Sequence, residues 1–176
     1  MRTVVLGPRP AELDALIARR QKLGLDGFDE VWEGEYHMAP MAHGLHGYVD
    51  DQVKAALWGP AKAAGLYPST AFNLGEPRNF RVPDGALHRA IPNALWLPTA
   101  ALVIEIVSPD DESWLKLGFY AAHGVDEVLI ADPRARSVDW LALDAGAGEY
   151  QAVTSSGLVA LGVESLSAAV DWPPVP

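Results

Sequence analysis

The sequence contains no cysteine. Disulfides, thiolate metal sites and cysteine nucleophiles are therefore excluded, which leaves histidines and carboxylates as the side chains able to hold a metal ion. Basic residues are also scarce: 13 Lys and Arg stand against 23 Asp and Glu, a formal net charge of −10. That balance works against non-specific attachment to nucleic acid or to anionic membranes. No apolar run approaches the roughly 18 residues of a membrane span, and the N-terminal MRTVVLGPRP lacks the apolar stretch of a signal peptide. The expectation is a cytoplasmic protein with no membrane partner. What is present is a chain of 176 residues, 49% of them hydrophobic, enough for one domain over 1–176 with a sizeable core.

Hydrophobic spacing sets out the elements. After Pro8 and Pro10, Leu13, Leu16, Ile17 and Leu23 recur at near-helical intervals, predicting a leading helix within 1–27 that stops at Gly24. FDEVWEGEYHMAP places two short strands either side of Gly34, a hairpin. Leu45, Val49, Val53 and Leu57 predict a second helix, kinked or ended by Gly59-Pro60 and closed by Gly65. LYPSTAFNLG and NFRVPDGALHRA read as two strands joined around Gly75-Glu76-Pro77, with Pro83 demoting the second to an edge, a bulge or a strand end. IPNALWLPT reads as a loop before a strand at 101–107, which Pro109 breaks. Asp110, Asp111, Glu112 and Ser113 suit the start of a helix running to about His123, where Gly124 stops it. DEVLIAD, SVDWLAL and GEYQAVT supply three more strands. The economical architecture is α/β: a mixed sheet flanked by helices.

The most informative stretch is ALVIEIVSPDD, residues 101–111. Alternation puts Ala101, Val103, Glu105 and Val107 on one face and Leu102, Ile104 and Ile106 on the other, so the strand is apolar on both faces except at Glu105. A carboxylate buried there costs several kcal/mol, on the order of its desolvation penalty, unless a metal, a cation or hydrogen-bond donors compensate it. One compensation is a buried ion pair with a lysine or arginine. Another is a divalent cation shared with Asp84, which sits at the break in the preceding strand. Mg²⁺ favours such a site, with one or two carboxylates and a backbone carbonyl. Pro-Asp-Gly is also an ordinary turn signal. Lys116, on the helix after the Glu105 strand, is placed either to lean over the strand end or to be solvated. Leu115, Phe119 and Ala122 mark that helix's apolar face, with Lys116 and Tyr120 on the adjoining one.

The run VPD at 82–84, LVIEIVSP at 102–109 and KLGFYAAHGVDEVLIADP at 116–133, together with VWEGEYHMAP at 31–40, resembles the Uma-two family of restriction endonucleases, within the PD-(D/E)XK nuclease superfamily. The likeness covers roughly residues 28–145. It implies a restriction-endonuclease-like fold and a metal-dependent endonuclease that hydrolyses nucleic-acid phosphodiesters, DNA above all, as a homodimer using Mg or Mn. On that likeness Asp84 and Glu105 are the metal-binding acids, with the Ile106 backbone carbonyl beside them, and Lys116 is the catalytic lysine. The superfamily pattern places its lysine two residues after the acid, where this chain has Val107. Glu35 and His46 are further candidates at the cleft mouth. The alternatives are a non-catalytic interaction module that keeps the nuclease fold, or a hydrolase of smaller phosphoesters.

Other polar residues read more plainly. His37, His43 and His46 lie close in sequence but match no common zinc spacing. His88 and His123 read as polar surface or rim residues. Arg78, Arg81 and Arg89 form either a phosphate-contact patch or exposed charges that serve solubility. Trp58, Trp96 and Trp114 suit base stacking or packing.

Overall fold

The computed structural model describes residues 10–39, 43–108 and 112–174. Expectations that rest on Pro8, Pro109, Asp110 and Asp111 lie outside these residues. The fold class is the one expected, but the strands form two sheets rather than one.

The hairpin of β1 (Glu30–Trp32) and β2 (Glu35–His37) turns through Glu33 and Gly34, both with positive φ. It adds to β5 (Asn79–Arg81), β4 (Asn73–Glu76) and β7 (Trp96–Leu97), giving a five-stranded sheet in the order β2-β1-β5-β4-β7. The larger sheet runs β11-β10-β9-β8-β6-β3. Its strands are β3 (Tyr67–Thr70), β6 (Gly85–His88), β8 (Leu102–Ile106), β9 (Glu127–Asp132), β10 (Ser137–Asp144) and β11 (Glu149–Val153). β8 and β9 pair in parallel, and the other pairs of this sheet are antiparallel.

LYPSTAFNLG and NFRVPDGALHRA, each read as one strand, both change sheet midway. The first breaks between Thr70 and Asn73, the second between Arg81 and Gly85. Pro83 marks the second break: it has no N–H to give a ladder, so pairing ends there and resumes in the other sheet. β6 is consequently an interior strand between β3 and β8. β7 lies inside the stretch that reads as a loop, and a C-terminal helix, α4 (Val163–Ala169), adds to the expected elements.

Helices cover both faces of the larger sheet. α1 (Ala11–Lys22) is the leading helix, and α2 (Gly44–Ala63) continues through Pro60 instead of stopping there. Proline in the last turn removes one intrahelical bond, but Ala61 beyond it is fully buried and the Pro60 carbonyl accepts from the Ala64 N–H at 3.0 Å. Val49, Val53, Leu57 and Ala61 of α2 pack on Leu102, Ile104 and Ile106 of β8, with Trp140 and Leu166 in the same cluster. On the opposite face Val103, Val128 and Ile130 meet Tyr120 of α3 (Leu117–Ala122). Glu105 follows Val103 by alternation onto this second face. The predicted helix 113–123 begins as a 3-10 turn over Ser113–Lys116. That changes its apolar face: Leu115 is 65% exposed, and Tyr120 is fully buried.

Candidate active site

Glu105 is 3% exposed in the middle of β8. Three neighbours from the following segment converge on it. Lys116 Nζ lies 3.1 Å from Oε1 and 3.3 Å from Oε2, the Tyr120 hydroxyl donates to Oε1, and the Ser113 hydroxyl approaches Oε2 at 3.5 Å. In a 3-10 turn residues three apart eclipse one another, so Ser113 and Lys116 reach the same carboxylate from successive turns.

A second acid completes the cluster. Glu30, in β1, takes Lys116 Nζ at 2.9 Å through Oε1, which also accepts the Val82 N–H at 2.7 Å. Its other oxygen accepts Trp32 Nε1 at 2.6 Å. Lys116 is thus clamped between carboxylates from the two sheets. Burial opposes its charge, but Glu105 and Glu30 outweigh burial and raise the Lys116 pKa, so it remains an ammonium. Burial pushes the Glu105 carboxyl up, Lys116 opposes that, and the charges of Asp84 and Glu30 add to the rise. Burial, followed by the charges of Glu105 and Glu30, raises Tyr120 well above a normal phenol, so it stays protonated and donates.

A column of flat side chains ties the five-stranded sheet to α3 here. The Arg81 guanidinium sits between two rings, 4.2 Å from the Trp32 centroid and 4.1 Å from that of Phe119. His37 stacks on Trp32 at 4.4 Å, and His123 on Phe119 at 3.9 Å. Contacts of a cation with ring faces are favourable when desolvated, and Arg81 is 5% exposed. The column fixes β1, which carries Glu30, against α3 and its 3-10 turn, which carry Lys116 and Tyr120.

Asp84 stands at the sheet-switching break, one residue before β6. Gly85 pairs with Ile104, and one further step in that register sets Asp84 opposite Glu105. Its Oδ2 accepts the Ile106 N–H at 2.7 Å, and its Oδ1 lies 2.9 Å from His46 Nε2. His46, in the first turn of α2, has its Nδ1 2.9 Å from the Ser108 hydroxyl. Burial disfavours charge on His46, but the hydrogen bond and charge of Asp84 prevail and raise its pKa, with Asp50 and Glu105 adding to the rise.

The structure therefore brings together Asp84, Glu105, Lys116 and His46. Glu35 is not among them: it lies on the edge strand opposite Trp32, and among the described residues it makes no hydrogen bond or ion pair with the cluster. Glu30, at the other end of the same hairpin, takes the place expected of it. His43 caps α2 by accepting the Leu45 N–H, and His37 stacks on Trp32 and lies 3.5 Å from Glu112. His88 is buried against Ser69 rather than at the surface. Arg78, Arg81 and Arg89 do not form one patch, because Arg81 is buried in the column and Arg89 pairs with Asp126 at 2.7 Å.

Among the described residues no three His, Asp or Glu side chains form a ready ligand set. The donor chemistry nevertheless suits a hard divalent ion. Each Asp84 oxygen meets one protein donor and retains a further lone-pair site, and Glu105 Oε2 meets Ser113 and Lys116 only at 3.5 and 3.3 Å.

Paired strands that each bring an acid to one place, with a lysine supplied by the next helical segment, define an α/β protein of restriction-endonuclease-like fold. The family model Uma2, described as "Putative restriction endonuclease", matches residues 26–171, and the chain belongs to that family. The match extends beyond the 28–145 of the sequence likeness, through β11 and α4. Among solved structures the fold is similar to that of a "putative nuclease belonging to DUF820" from Anabaena variabilis, with a TM-score of 0.66 and 18% identity. That alignment covers 81% of this chain and 90% of the other. No curated protein matches the chain. No described helix is long and apolar enough to cross a membrane.

Proposed function

We propose that this chain is a metal-dependent endonuclease that hydrolyses nucleic-acid phosphodiester bonds, DNA above all, in the cytoplasm. The observation that carries this reading is that Asp84, one residue before the strand that pairs with β8, accepts the Ile106 N–H next to Glu105, with Lys116 held on Glu105. Asp84, Glu105 and the Ile106 carbonyl would hold Mg²⁺ or Mn²⁺. When bound, the ion supplies Lewis acidity and a water of lowered pKa.

The chain's own groups do the rest. Lys116, fixed as a cation, is unsuited to take a proton; it orients a phosphate oxygen or the attacking water and offsets developing negative charge. Tyr120 and Ser113 hold Glu105 in place, Glu30 holds Lys116, and His46 with the Ile106 N–H fixes Asp84. A homodimer would present two such sites, one for each strand of a duplex. The net charge of −10 favours one competing reading, a hydrolase of smaller phosphoesters that has no need of a basic groove.

The test is cleavage of plasmid, single-stranded and RNA substrates in Mg²⁺ or Mn²⁺, beside bis(p-nitrophenyl) phosphate. The expected result is metal-dependent cleavage of a nucleic acid that falls at least about 100-fold in Asp84→Asn and Glu105→Gln. Turnover of the small diester with no polynucleotide cleaved would favour the competing reading. Polynucleotide cleavage that survives both substitutions would place the chemistry elsewhere.

A further inference from the structure

An acidic chain that acts on nucleic acid needs a grip that does not depend on charge, and the cations near the site are mostly committed. Lys116 pairs with Glu30 and Glu105, Lys54 with Asp50, and Arg20 with Asp29, while Arg81 is buried between rings. Arg134 and Arg136 differ. They are exposed on the turn after β9, at the carboxyl end of the parallel β8–β9 pair, where Ile106 faces Ala131.

The 3-10 turn SWLK supplies another means of attachment. Ser113 and Lys116 point inward onto Glu105. With three residues per turn, the two residues between them are directed away from it. Trp114 and Leu115 are 49% and 65% exposed, large apolar side chains in the same turn as the lysine of the site. An indole face stacks on any nucleobase, and stacking is nearly indifferent to the sign of the protein's charge.

We infer that Trp114, flanked by Leu115, is a stacking platform for an unpaired base next to the scissile phosphate, so that the substrate is single-stranded or locally unpaired nucleic acid. This rests on the endonuclease reading and goes beyond it by naming the strand state and the residue that reads it. A duplex keeps its bases in its own stack and offers Trp114 no face, whereas a single strand, loop or frayed end does.

The test is fluorescence anisotropy of a labelled thymine-rich oligonucleotide, single-stranded or annealed to its complement, with metal-free protein. The parent should bind the single strand more tightly than the duplex. With Arg134 and Arg136 the arginines at this end of the sheet that make no ion pair among the described residues, the salt dependence should be shallow, a log–log slope of about −1 to −2. Trp114→Ala should weaken single-strand binding by roughly 5- to 150-fold. Trp114→Phe should restore most of it, and because Trp114 is half-exposed the melting temperature of both variants should stay near the parent's.

Unchanged affinity in Trp114→Ala, tighter binding of duplex with a steep salt slope, or an alanine variant altered only in oligomeric state would each overturn the inference. If the parent cleaves nucleic acid and Trp114→Ala binds it equally well, only the stacking role falls. If the parent neither binds nor cleaves either form, the endonuclease reading falls with it.

Discussion

Replacing Lys116 by alanine is expected to destabilise the fold by about 3–5 kcal/mol, the range for removing one partner of a buried ion pair. Lys116 is the cation that meets both Glu30 and Glu105, and its side chain is 11% exposed. Without it two carboxylates from different sheets are left facing one another in a site that water barely reaches. The loss should shrink as pH falls. Burial and the neighbouring acids already favour the protonated form of Glu105, and a protonated carboxyl no longer requires the cation. Lys116→Ala combined with Glu105→Gln should recover much of the loss, because it removes the stranded charge with the lysine. Urea melts of the four proteins in this cycle give the coupling directly. Equal stability of parent and Lys116→Ala at neutral pH would mean that the ammonium is solvated rather than clamped.

Gly75→Ala should cost about 2–5 kcal/mol, the sum of backbone strain and overpacking. Gly75 lies in β4 with φ of +116°, and a Cβ there would clash with the Asn79 carbonyl oxygen and meet the Phe119 ring at 2.9 Å and Phe80 Cα at 3.2 Å. Backbone on one side and a ring of the Arg81 column on the other leave little room to yield. The effect should reach the site, because Phe119 immediately precedes Tyr120 and covers one face of Arg81. The denaturation midpoint reports the stability loss, and a changed near-ultraviolet circular dichroism spectrum reports movement of the stacked aromatics. A loss below about 1 kcal/mol, no more than backbone strain alone costs, would show that β4 and α3 are not packed this closely.

Glu105 was legible in the sequence because its strand is long enough for alternation to expose one acid among apolar neighbours. Glu30 carries a similar signal beside Val31 and Trp32, but a three-residue strand is too short for a period to declare itself. Glu35 is the acid the hairpin offers instead, and nothing in the helical spacing singles out Tyr120, which donates to Glu105. An α-helical period applied throughout the helix after β8 puts Leu115 on the buried side. The 3-10 start shifts the phase and turns Leu115 outward. The second sheet was hidden for another reason. Two strands of the five-stranded sheet, β4 and β5, are fragments of segments that also supply the larger sheet, and only Pro83 marks where either segment breaks. The Asp84–Glu105 juxtaposition depends on that break, because Asp84 stands just before β6 and takes the Ile106 N–H of β8 beside Glu105.

The central claim is that Asp84 and Glu105 share one divalent cation. Calorimetric titration of metal-free protein with Mn²⁺, beside Asp84→Ala and Glu105→Ala, tests it most directly, since it requires no knowledge of the substrate. Saturable binding in the parent, lost in both variants while each still unfolds cooperatively, is the predicted result. Parent protein that takes up no Mn²⁺, alone or with a single-stranded oligonucleotide present, would contradict it and leave Glu105 as the buried ion-pair partner of Lys116 in an interaction module.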